Sequence, residues 1–265
     1  MGRHLRIEYY VEPTLQALAR RAADKITCAI EEAVSSRGRA RIAISGGSTP
    51  RETYRLLADP AEPWRARISP DKLDLYWVDE RVVPPDHPAS NYRMVREAWL
   101  DHVPIDSGRI HRMEGELEPQ AAAVNYESEL RKSFGLGEGD FPRFDLVTLG
   151  MGTDGHTASL FPFTAALNEW NRLAVANYLP RQNSWRITLT LPVINQASSV
   201  FFLVSGADKA EILKEVMTGE HDPERLPSQM IRPASCILTI LMDQAAASLL
   251  PATNAQSYGF VEREG

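Results

Sequence analysis

Cysteine is scarce in this chain, with two in 265 residues. Cys28 and Cys236 are too far apart for a zinc spacing or a redox Cys-x-x-Cys. Each lies among apolar neighbours, so both are expected as core thiols in a reducing compartment. Basic charge is not in excess either: 29 Lys and Arg stand against 35 Asp and Glu, a net charge of −6. That argues against a general nucleic-acid binder, although a local cluster of Arg and backbone N–H groups can still hold a small anion. No apolar run approaches the length of a membrane span. The opening residues, Met1-Gly2-Arg3-His4-Leu5-Arg6, have neither the apolar core of a secretory signal nor the hydroxyl residue of a myristoylation site. A cytoplasmic protein with no nucleic-acid and no membrane partner is expected. Three chemical signatures are missing as well. There is no G-x-S-x-G elbow, no HExxH, and no third glycine after Gly46-Gly47 at dinucleotide-binding spacing, so serine hydrolysis, zinc peptidase chemistry and a nicotinamide site are not indicated.

What is present is an ordinary globular balance, 43% hydrophobic and 24% charged. No internal repeat or long linker divides the chain. It is expected as a single domain over 1–265, with a core over about 10–250 and a mobile tail over 251–265. Strand-like runs alternate with helical stretches, which predicts an α/β fold: a largely parallel sheet with helices on both faces. The first helix opens near Pro13, carries Leu15, Leu18, Ala22, Ile26, Ala29 and Ala33 at helical spacing, and stops at Gly38. Strands are predicted at 41–45, 72–78, 144–149, 172–178, 185–191, 199–204 and 236–242. Helices are predicted from Pro50, over 119–134 and over 207–218.

Three strand ends carry candidate chemistry. After 41–45 comes Ser45-Gly46-Gly47-Ser48-Thr49-Pro50-Arg51-Glu52. Here Thr49 suits an N-cap, Pro50 the first helical position, and Glu52 would complete a capping box. The same stretch reads equally as a well-capped helix or as an anion site at a helix N-terminus. After 72–78 comes Asp79-Glu80-Arg81, either a surface ion-pair run or a guanidinium placed to grip an anion. After 144–149 comes a loop with three glycines, Gly150-Met151-Gly152-Thr153-Asp154-Gly155-His156. In it Asp154 is placed to orient His156, the side chain best suited to proton transfer near neutrality. Three such ends can meet over one crevice at the carboxyl edge of a parallel sheet. His4, His87, His102, His111 and His221 are expected at the surface without a role.

Together these segments resemble the 6-phosphogluconolactonase family: Ile44 to Pro50, Trp77 to Arg81 with Ser90-Asn91-Tyr92, Gly150 to Pro162, Arg186-Ile187-Thr188-Leu189-Thr190, and Val204 to Lys209. The resemblance spans about residues 10 to 250. It implies a modified Rossmann-like fold, no cofactor and no metal, and hydrolysis of 6-phosphoglucono-1,5-lactone in the oxidative pentose phosphate pathway by a monomer or weak homodimer. It further implies that His156 is the general base, that Asp154 sets its charge and placement, and that Arg81 binds substrate and stabilises charge. Gly46, Gly47, Ser48 and Thr49 then form the phosphate loop, with Asn91, Arg186 and Lys209 as further substrate contacts. One segment departs from the family pattern. A lysine-bearing loop is replaced by Tyr178-Leu179-Pro180-Arg181-Gln182-Asn183-Ser184-Trp185, in which Arg181 is the candidate substitute. Two alternatives follow from the same motifs. One is an amino-sugar-phosphate deaminase or isomerase, which would carry a further glutamate where this chain has Ser159-Leu160-Phe161-Pro162. The other is a non-catalytic sugar-phosphate binder.

Overall fold

The computed structural model describes residues 5–235, 237–251 and 258–263, the last stretch as backbone only. Cys236, His4 and the rest of the opening and closing segments lie outside the described residues. In chain order the elements are β1 (Leu5–Glu12), α1 (Leu15–Arg37), β2 (Ala40–Ile44), α2 (Ser48–Ala58), α3 (Pro63–Arg67), β3 (Leu73–Trp77), β4 (Asp79–Arg81), α4 (Asn91–Ala98), β5 (Ile110–His111), α5 (Pro119–Phe134), β6 (Leu146–Leu149), β7 (Ala174–Leu179), β8 (Ser184–Leu189), α6 (Leu191–Asn195), β9 (Val200–Val204), α7 (Ala210–Thr218), β10 (Ile237–Asp243) and β11 (Tyr258–Arg263).

The main sheet runs β11-β1-β10-β9-β6-β2-β3-β5. Its pairs are parallel except β1 with β11 at one edge. β3, β6 and β9 are buried at every position, as strands covered on both faces must be, and that is why they read as unbroken apolar runs. The chain winds outward from the centre in both directions, β2 to β3 to one side and β6 to β9 to the other. The crevice at the carboxyl ends of β2 and β6 is therefore the topological switch point of the sheet, where ligands bind in open α/β folds.

The helix ends follow local chemistry. Thr14 caps α1, its hydroxyl accepting from the Ala17 N–H at 3.2 Å, and Gly38 closes it at φ 78° with its N–H on the Val34 carbonyl. Pro13 thus precedes the cap rather than opening the helix. Small buried residues on one face, Ala19, Ala22, Ala23 and Ala33, let α1 lie close to the sheet. α5 spans the predicted 119–134, capped by Glu118 and ended by Gly135 at φ 66°.

Several expectations are corrected. A second, three-stranded antiparallel sheet, β4-β8-β7, was not anticipated. Of the tail expected over 251–265, residues 258–263 form the antiparallel edge strand β11. Cys28 is exposed with the Arg67 guanidinium 3.4 Å from its Sγ, because it falls off the buried stripe of α1. His111 is half-buried, stacked on Tyr76 at 4.3 Å and paired with Glu129 at 2.7 Å, because β5 turns it inward under α5. Among the described residues no helix is long and apolar enough to cross a membrane.

Candidate active site

A cleft of about 350 Å³ opens at the switch point. One wall is the start of α2. The helix begins at Ser48 rather than Pro50, with Gly47 as N-cap at φ 110°, a conformation open to glycine. A proline is tolerated anywhere in a first helical turn, so the sequence permits the earlier start. The expected capping box does not form. Glu52 instead pairs with Arg55 at 2.9 Å, while the Thr49 and Ser205 hydroxyls share a hydrogen bond of 2.6 Å. The N–H groups of Ser48 and Thr49 therefore lie in an uncapped first turn at the cleft wall, with the positive end of the helix dipole behind them. Gly46 serves a different purpose. A Cβ there would fall 1.8 Å from Asn91 Oδ1, so the missing side chain is space for that amide.

The opposite wall is the small sheet. Asp79-Glu80-Arg81 is a short strand rather than a surface ion-pair run, and its three side chains part company. Glu80 is buried and accepts from the backbone N–H groups of Arg81, Asn91 and Tyr92 and from the Ser90 hydroxyl, which pins the first turn of α4 to β4. Burial pushes its carboxyl above the usual range, against those three N–H donors. Asp79 accepts from the Ser159 hydroxyl at 2.6 Å and from Asn91 Nδ2 at 3.3 Å, and Asn91 also donates to the Asp79 carbonyl. Arg81 faces the cleft and donates to the Ala89 carbonyl. Directly across the ladder stands Arg186, which donates to Gln182 Oε1, Ser184 Oγ and the Trp185 carbonyl at 2.8–3.0 Å. Burial and then the charge of Arg81 lower the Arg186 pKa, with Asp79 and Glu80 pulling the other way. Like charges opposite one another on a ladder are unfavourable. Among the described residues neither guanidinium has an ion-pair partner. The two guanidinia therefore leave positive charge at the cleft wall that no described carboxylate within ion-pair distance offsets.

Between the walls lies the loop after β6. Gly152 donates to the His156 carbonyl and Gly155, at φ 81°, to the Gly152 carbonyl, closing a tight turn that presents the imidazole. The ring stacks on Phe161 at 3.8 Å, and its Nδ1 lies 2.5 Å from Asp154 Oδ1. A carboxylate facing Nδ1 favours, in the neutral ring, the tautomer with its proton on Nδ1 and its lone pair on Nε2. Partial burial works against the charge on Asp154, but the hydrogen bond and charge of His156, with two backbone N–H groups, outweigh it and hold its pKa below the ordinary value. A depressed carboxyl stabilises the fold above its unfolded pKa, and the contribution disappears as pH falls through the native value. Asp154→Asn is accordingly expected to melt below wild type at neutral pH, with the gap closing in acid below about pH 4. Thermal midpoints across pH 3–7 measure this.

Of the residues singled out from the sequence, Gly46, Gly47, Ser48, Thr49, Arg81, Asn91, His156, Arg186 and Lys209 all line this one cleft, and Asp154 braces His156 from behind. Arg181 does not reach it. It is exposed, and its neighbour Gln182 lines the cleft instead. Asp79, Ser159, Phe161, Gln182 and Ser205 belong to the site and were not anticipated there. Asp79, Ser159, Phe161 and Ser205 sat inside recognised motifs, whereas nothing local marked Gln182. Among the described residues no group of three or more His, Cys, Asp or Glu side chains converges to hold a metal ion.

Known proteins resemble this chain over most of its length. The family model described as glucosamine-6-phosphate isomerases/6-phosphogluconolactonase matches residues 13–240. A 6-phosphogluconolactonase of Synechocystis sp. is 44% identical over 237 residues, covering 89% of this chain and 95% of the relative. One from Nostoc sp. is 42% identical over 240 residues, covering 90% and 97%. The solved 6-phosphogluconolactonase of Trypanosoma cruzi superposes with a TM-score of 0.78 at 28% identity, covering 92% of this chain and 97% of that one.

Proposed function

The chain belongs to the glucosamine-6-phosphate isomerase/6-phosphogluconolactonase family, and from that premise we propose that it hydrolyses 6-phospho-D-glucono-1,5-lactone to 6-phospho-D-gluconate. The observation that carries the reading is the convergence in a single cleft of one braced imidazole with the first turn of α2, two facing guanidinia and Lys209. A δ-lactone is an activated ester, so a positioned water and one base suffice and no serine or cysteine nucleophile is required.

His156 Nε2 takes a proton from water as the water oxygen bonds to the lactone C1. The carbonyl oxygen becomes an oxyanion, stabilised by the positive charge of Arg81. Asp154 holds the resulting imidazolium in place through Nδ1–H. The intermediate then collapses, the C1–ring-oxygen bond breaks, and the imidazolium returns its proton to the departing C5 oxygen. Lactone and water are thus converted to carboxylic acid and hydroxyl, the acid ionising at neutral pH. The phosphate is gripped by Arg186, Lys209 and the first turn of α2, which holds C1 in range of the base. Nothing acidic follows His156 at Ser159-Leu160-Phe161-Pro162, and this favours hydrolysis over amino-sugar deamination. The reading further makes the chain a cytoplasmic enzyme of the oxidative pentose phosphate pathway, acting on a small phosphorylated lactone as a monomer or weak homodimer.

The test is acid release from freshly prepared 6-phosphogluconolactone, followed against its spontaneous hydrolysis. Catalysed release well above background is expected. A rate equal to background, or ammonia release from glucosamine 6-phosphate, refutes the assignment.

A further inference from the structure

The tip of the β7–β8 hairpin meets the cleft through Gln182. Pro180–Gln182 forms a single 3-10 turn, and Asn183 adopts a left-handed φ of 44° to lead the chain into β8. The Tyr178 hydroxyl donates to Asn183 Oδ1 at 2.7 Å, and the Tyr178 ring packs on Trp185 at 5.1 Å, so the tip is tied down by its own side chains. Gln182 Oε1 accepts from Arg186 Nη2 at 2.8 Å. That bond fixes which way the amide faces, because only its oxygen can meet a guanidinium. The NH₂ end, with two donors, is left for whatever enters.

The surroundings narrow what that is. Arg186 and Arg81 supply donors and positive charge, and the nearby acidic side chains are already engaged, Asp79 by Ser159 and Asn91, Glu80 by the start of α4. A group docking here must accept hydrogen bonds and carry negative charge. A third cation beside the facing arginines would add to their repulsion, whereas a neutral amide adds donors without it. We infer that Gln182 is a specificity-determining residue that donates to the substrate's phosphoryl group while holding the Arg186 guanidinium in place to grip the same group. This rests on the lactonase reading for the identity of the substrate.

Gln182→Ala and Gln182→Glu are compared with wild type by calorimetric binding of 6-phosphogluconate, and by kcat and KM on the phosphorylated and unphosphorylated δ-lactones. Gln182→Ala is expected to weaken 6-phosphogluconate and raise KM for the phosphorylated lactone about tenfold, as for loss of one hydrogen bond to a charged group. Any fall in kcat is confined to the phosphorylated lactone and smaller than the rise in KM, while both constants for the unphosphorylated lactone change less than about twofold. Gln182→Glu keeps the shape and the contact with Arg186 but sets a carboxylate against the anion, so its loss is larger, about a hundredfold. A hairpin that is only structural gives the reverse order, the isosteric variant being the milder. That order, equal losses on both lactones, or changes under about twofold in both variants overturn the inference. Variant effects on 6-phosphogluconate binding without wild-type turnover overturn the lactonase reading and leave the role of Gln182 standing.

Discussion

His156→Ala lowers turnover of the phosphorylated lactone by at least about 10²-fold, the lower end of what a positioned general base supplies. That corresponds to about 2.7 kcal/mol of barrier. Binding of 6-phosphogluconate changes little, because the groups assigned to the phosphate lie on α2, β8 and the turn before α7 rather than on the histidine loop. The loss of stability is modest and of the same size as in Asp154→Asn, since both variants break the one imidazole–carboxylate pair. The imidazole is 27% exposed and contributes one ring stack and one hydrogen bond to a carboxylate that is itself 42% exposed. The variant therefore separates chemistry from binding and from folding in one protein. The measurement is kcat after subtraction of spontaneous hydrolysis, alongside calorimetric binding of the product. Turnover near wild type would remove His156 from the reaction whatever the cleft looks like.

The sequence carried the main sheet because its central strands are covered on both faces and so appear as apolar runs that no helix period fits. It carried the histidine loop because three glycines, an acid and an imidazole follow such a strand, a string that also fits a solvated glycine-rich turn until its resemblance to the family motif is added. The small sheet was hidden for the opposite reason. β4 is three polar residues long, and its ladder partner β8 lies about a hundred positions further on, a pairing that no local pattern encodes. Without that pairing Arg81 and Arg186 were two separate arginines, and their facing positions, which concentrate positive charge at the cleft, had no sequence signal. The start of α2 was misread because Thr49-Pro50-Arg51-Glu52 fits a capping box as a string. What decided against it was the ability of Gly47 to hold φ 110° and of Thr49 to find Ser205 across the cleft. Gly46 illustrates the same limit: the glycine was visible, but that it makes room for Asn91 was not. A polar uncharged residue outside any motif, such as Gln182, looks alike wherever it occurs, and only tertiary placement distinguishes it.

Gly152→Ala tests whether the brace on the imidazole, and not the imidazole alone, is what the loop supplies. A Cβ at this position would lie 2.0 Å from His156 Nδ1, 2.1 Å from Cε1 and 2.7 Å from Asp154 Oδ1. The backbone of Gly152 does not use the left-handed region, so alanine fits the chain path and the whole conflict falls on the ring and its carboxylate. Gly155 would make a poorer probe, since its φ of 81° and a Leu226 side chain at 2.8 Å add backbone strain and a core clash. In Gly152→Ala the imidazole must swing off Asp154, losing both its fixed tautomer and its aim at the water. Turnover is expected to fall by about 10²-fold, approaching the loss in His156→Ala. Removing the ring removes the two closest conflicts and leaves only the approach to the Asp154 carboxylate, a side-chain end freed to turn away once its partner is gone, so the double variant Gly152→Ala/His156→Ala should turn over no more slowly than His156→Ala alone and melt no lower than Gly152→Ala. Groups that act as one unit lose their effect once, not twice. The decisive readout is kcat for the two single variants and the double. Losses that multiply would mean that Gly152 serves the reaction by a route independent of the histidine, and a Gly152→Ala enzyme with wild-type kcat would mean that the ring needs no brace.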